Sequence, residues 1–88
     1  MAIDGNLLSL LHELDRSSAD AVIRFYDGEA YGVRVISTAH ADAGGDVIAE
    51  ILTVAAGSIP VGAFMNFALT DVAEVRVGGT CAFAAPSG

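Results

Sequence analysis

"FYDGEAYGVRV", Phe25 to Val35, is the stretch that decides how the chain is read. An Asp-Gly pair between two runs of alternating apolar residues marks a β-hairpin. The length of its loop then sets which side chains share a face. A two-residue Asp27-Gly28 loop pairs Phe25 with Ala30 and Ile23 with Gly32, leaving Tyr31, Val33 and Val35 on the face that carries Arg24. A three-residue loop, Tyr26-Asp27-Gly28 with the glycine at positive φ in a bulge, pairs Phe25 with Glu29 and Ile23 with Tyr31. Ala21, Ile23, Phe25, Tyr31, Val33 and Val35 then line one face, and Arg24 and Arg34 the other. A slip of one residue inverts every side chain, so the apolar pattern selects the three-residue loop.

Upstream of the hairpin, Ile3, Leu7, Leu8, Leu10, Leu11 and Leu14 recur at three-and-four spacing. This predicts a helix over about residues 4–15, with Asp4 or Asn6 to cap its start and His12 on the polar side. "DRSSAD", Asp15 to Asp20, breaks the period. Strands are expected at about 20–26, 29–38, 46–55, 61–69 and 73–78, divided by "HADAGGD" (His40 to Asp46), "AAGSIP" (Ala55 to Pro60) and "LTD" (Leu69 to Asp71). One helix followed by closely spaced strands suggests a small barrel instead of a parallel α/β sheet, which needs a helix between strands. The expectation is a mainly β domain with an N-terminal α-helix, a small five-stranded SH3-like barrel, over residues 1–78. Residues 79–88, "GTCAFAAPSG" with Gly79, read as a flexible, loosely attached tail. The fourth strand is apolar on both sides: Val61, Ala63, Met65, Phe67 and Leu69 alternate with Phe64 and Ala68. Such a strand is covered on both faces, one by the barrel interior and the other by the helix or a neighbouring subunit.

An 88-residue chain makes one domain with a thin core. Yet 53% of its residues are hydrophobic and its mean hydropathy is +0.57, more apolar surface than so small a domain easily hides. A homo-oligomer is therefore expected. Eleven acidic residues against four arginines and no lysine give a net charge of -7. Such a field repels phosphate backbones, and Arg16, Arg24, Arg34 and Arg76 are scattered along the chain, so RNA is disfavoured and no DNA partner is expected. Cys81 is the single cysteine and forms no internal disulfide. No apolar run approaches the ~18 residues of a membrane span, and no basic leader precedes the first apolar residues, so a cytoplasmic location is expected.

The order of features also resembles a family. A leucine-bearing helix, a strand ending in "FYDG", then "YGVRVIS", a long third strand, and a hydrophobic strand leading into "LTDVAEVRV" are similar to the Sm-like proteins. The resemblance spans about residues 5–78. Phe25, Asp27-Gly28 and Tyr31 stand at the positions of the family's first motif. It implies an Sm-like barrel and ring assembly through the fourth strand of one copy and the fifth of the next. The chain departs where the family contacts RNA. Val33 stands at a glycine position, the loop "STAHADAGGD" holds no asparagine, and Arg76-Val77-Gly78 replaces an Arg-Gly pair.

Candidate chemistry is sparse. His40, Asp42 and Asp46 place nitrogen and oxygen ligands within seven residues, but the spacing matches no established metal site and Gly44-Gly45 leaves it loose. Cys81 has no neighbouring base to activate it. No cofactor, metal site or catalytic residue is expected. The candidate binding residues are Arg24, Arg34, His40, Asp42, Asn66 and Asp71, the last two near the end of the fourth strand and the turn after it. The expected function is a non-catalytic oligomeric Sm-like binding or scaffold module. An RNA-binding Sm-like ring using Arg24 and Arg34 ranks second, and a small metal-binding protein or enzyme last.

Overall fold

A computed structural model describes residues 5–39, 41 and 45–85. Helix α1 (Gly5–Ser17) is followed by β1 (Asp20–Phe25), β2 (Ala30–Ser37), β3 (Val47–Ala56), β4 (Phe64–Phe67), a 3-10 turn (Leu69–Asp71), β5 (Val72–Val77) and β6 (Thr80–Ala84). All pairings are antiparallel, in the order β4-β3-β2-β1-β5-β6.

The hairpin takes the three-residue loop. Ile23 lies opposite Tyr31 and Arg24 opposite Ala30. The Phe25 N–H donates to the Glu29 carbonyl at 2.8 Å and the Gly28 N–H to the Phe25 carbonyl at 3.1 Å, while Gly28 holds φ at +95°. The Asp27 carboxylate accepts the Glu29 N–H at 2.9 Å and so fastens the turn. Ala21, Ile23, Phe25, Tyr31, Val33 and Val35 are all buried, and Arg24 and Arg34 are exposed, as the register requires.

Connectivity forces the sheet to roll. β4 and β5 stand four strand spacings apart in the sheet order, about 19 Å if the sheet were flat. The link between them is residues 68–71, mostly a 3-10 turn, which spans only about 12 Å. The sheet therefore curls until the end of β4 meets the end of β1, where the Phe25 and Phe67 rings pack edge to face with centroids 5.1 Å apart. That contact adds about 1 kcal/mol beyond the area it buries. Leu7, Leu11 and Leu14 of α1, three and four residues apart, close the core against β2. Ser18, at φ +56°, turns the chain out of the helix.

Five expectations need correction. The sheet has six strands, because the supposed tail contains β6, joined to β5 by a Gly78-Gly79 turn at positive φ. The sheet is rolled but open, since among the described residues no ladder joins β4 to β5 or β6 and closes a barrel. The fourth strand is only Phe64–Phe67, because the Ala63 N–H donates to the Pro60 carbonyl at 3.2 Å and makes residues 60–63 a turn. The helix, one of the two covers expected for its second face, packs on β2 and β6 instead, and Phe64 is 65% exposed within the chain. His12, read as a surface residue, is half-buried, and its Nδ1 lies 2.7 Å from the hydroxyl of buried Thr38.

Candidate functional site

Arg24 and Arg34 project from the outer face of the sheet because they alternate with the core residues of β1 and β2. The strand registers decide what they meet. Arg24 lies opposite Glu74 of β5, and its Nε and Nη2 donate to Glu74 Oε1 at 3.1 and 2.8 Å. Arg76, two residues along β5 on the same face, donates from Nε to Glu74 Oε2 at 2.8 Å. Arg34 lies opposite Glu50 of β3 and donates to its Oε1 at 2.7 Å. On the helix, Arg16 pairs with Glu13. All four arginines are thus held by carboxylates, and none presents an unengaged guanidinium for phosphate. The Glu74 carboxyl is held below its ordinary value of 4.5, first by the Arg24 hydrogen bond and further by the charges of Arg76 and Arg24; partial desolvation opposes the shift.

Asn66 and Asp71 come together elsewhere. Both border an open groove of about 460 Å³ at the end of the hairpin, with Tyr26, Asp27, Glu29 and Met65. The Asp71 carboxylate accepts the Ala68 N–H at 3.1 Å, and its carbonyl accepts the Tyr26 N–H at 3.1 Å, so this aspartate fastens the β4–β5 turn to the hairpin. Asn66 Nδ2 donates to Asp46 Oδ2 at 2.6 Å across the β3–β4 ladder. Arg24 and Arg34, on the outer face, do not line this groove. His40 and Asp42 lie outside the described residues, and Asp46 is the described member of that trio. Among the described residues no group of three or more His, Cys, Asp or Glu is placed to hold a metal ion. No helix there is long and apolar enough to cross a membrane.

Two features escaped the sequence reading. A second open groove, about 630 Å³, runs along β4 between Gly45, Asp46, Ile48, Phe64, Met65 and Asn66. Its signal was Phe64, an aromatic out of step with the core face of its strand. The other is Tyr31. Its hydroxyl, fully buried, donates to Glu29 Oε1 at 2.5 Å and accepts the N–H groups of Ser58 and Ile59 at 3.0 and 3.1 Å. The loop after β3 is tied to the hairpin through this one oxygen. Gly57 is required there, because a Cβ at that position would lie 2.0 Å from the Tyr31 hydroxyl.

These contacts hold loops and strands in place, and the Thr38 hydroxyl, 2.7 Å from His12 Nδ1, joins the end of β2 to α1. Cys81 is exposed, its Sγ 3.5 Å from the Phe83 carbonyl oxygen. No protein-family model, curated protein or solved structure matches the chain.

Proposed function

We propose that the chain is a non-catalytic module of the Sm-like type, its six-stranded sheet rolled but open, that works by binding protein and associating with itself. The observation that carries the reading is the bare edge of β4. Its sequence, Phe64-Met65-Asn66-Phe67, has no charge and no proline, and it ends the sheet beside an aromatic ring that is 65% exposed. Edges of this kind pair with other chains unless something blunts them. The hairpin with Phe25, Asp27-Gly28 and Tyr31, preceded by an apolar helix, supports the Sm-like comparison.

RNA is the weaker reading. Net charge is -7 and every arginine is already in an ion pair, so a phosphate would have to displace Glu74 or Glu50 to reach Arg24 or Arg34. The loop residues with which Sm-like proteins hold a base have no counterpart here. β6 also covers the outer side of β5, the strand edge that the family's ring junction uses.

A titration of labelled oligo-U at physiological salt, run beside a measurement of native mass, tests the proposal. The expected result is RNA binding no tighter than the non-specific range of about 1 to 100 µM, with a particle heavier than the 8.9 kDa chain. Tight, salt-dependent RNA binding by a particle in which Arg24→Ala abolishes the signal overturns it.

A further inference from the structure

The hydrogen bonds at the start of β4 fix which of its backbone groups are spoken for. The Ile51 N–H donates to the Ala63 carbonyl at 2.9 Å, and the Gly62 N–H to the Ile51 carbonyl at 2.8 Å. Bonded pairs alternate along an antiparallel ladder, so Met65 opposite Ala49 and Phe67 opposite Val47 turn their N–H and C=O groups toward β3. Phe64 and Asn66, opposite Glu50 and Ile48, therefore turn theirs to the open side. The side chains of these same two residues border the groove over Ile48.

From this geometry we infer that the occupant of the β4 edge is the β4 strand of a second copy, paired antiparallel about a two-fold axis at Met65. Phe64 then stands opposite the partner's Asn66, and the two exchange both backbone hydrogen bonds; symmetry repeats the exchange at Asn66. The two residues of β4 whose backbone polar groups face away from β3 are thereby matched to each other. In this register each Phe64 ring comes against the partner's groove, so one patch supplies both a projecting ring and the hollow for it. Such self-complementarity is what a two-fold interface requires. Two acidic chains repel, and an uncharged strand is where their close approach costs least. Asp46, the one carboxylate in the groove, is already hydrogen-bonded to Asn66.

The inference rests on the self-association proposed above, and its test separates the two. Sedimentation equilibrium follows wild type, Phe64→Glu and Asn66→Pro from micromolar to millimolar protein. Phe64→Glu changes an exposed side chain, and Asn66→Pro removes an N–H that faces away from β3. Amide exchange at Phe64 and Asn66 in the wild type provides a readout that needs no variant. The expected result is a reversible dimer, weakened at least about tenfold in both variants, with slower exchange at those two amides as concentration rises. A dimer unchanged in both variants overturns this interface and leaves self-association standing. A wild type that stays monomeric to millimolar concentration overturns both and marks the edge as free for an unlike partner. Slow exchange that does not depend on concentration assigns the edge to a segment of the same chain and likewise overturns the inference.

Discussion

Replacing Tyr31 with phenylalanine removes one oxygen and three hydrogen bonds while keeping the ring in the core. The bond to the Glu29 carboxylate, at 2.5 Å, has a charged acceptor, and such bonds contribute about 1.5 to 3 kcal/mol. The bonds from Ser58 and Ile59, at 3.0 and 3.1 Å, hold the loop after β3. Each is of the ordinary kind, about 0.5 to 1.5 kcal/mol, and Ser58 is exposed enough for water to replace part of its loss. Together these sum to about 2.5 to 6 kcal/mol, and with water taking over part of the loss at the exposed loop the low end, about 2 to 3 kcal/mol, is expected for Tyr31→Phe. For a domain of this size that lowers Tm by roughly 10 to 20 °C. Thermal and urea unfolding followed by circular dichroism measure it, and faster amide exchange at Ser58 and Ile59 locates the effect. A Tm within about 2 °C of the parent would refute the reasoning, since water would then serve as well as the hydroxyl.

Gly28→Ala tests the hairpin register: nothing lies within 4 Å of a Cβ at that site and φ is +95°, so the cost is backbone strain alone, about 1 to 2 kcal/mol. A variant as stable as the parent in urea unfolding would contradict the bulge. Glu74 gives a pH signature. Its carboxyl is held below 4.5 by Arg24 foremost, so the stability it contributes is complete above that pH and is lost as pH falls through the lowered value. Melting temperatures of wild type and Glu74→Gln should differ at neutral pH and converge below pH 4.5; a gap that stays constant through the acid range argues against the ion pair. A chain ended at Gly79 lacks β6 and uncovers the outer side of β5. Light scattering should then report larger particles than the full chain forms, and unchanged size would mean that β6 guards nothing.

The hairpin and the inward face of α1 were legible because one face of each is buried, which leaves a period in the sequence. β6 was not, since "TCAFA" is short and mostly exposed and writes no such period. A Gly-Gly pair between Val77 and Thr80 was nonetheless a hairpin signal. The fourth strand was read too long because Val61 keeps the alternation while standing in a turn, 64% exposed. The arginines were placed on the right face, but their partners were not legible. Glu74 lies 50 residues from Arg24 and Glu50 16 from Arg34, and only strand register brings such pairs together. Thr38 and His12 meet for a similar reason, when α1 packs on β2.

Self-association is the claim on which the functional reading stands, and the mass of the native particle tests it most directly. Sedimentation equilibrium of the wild-type chain should give an average mass that rises reversibly with concentration from 8.9 kDa toward twice that value. A mass that remains 8.9 kDa up to millimolar protein would contradict the account.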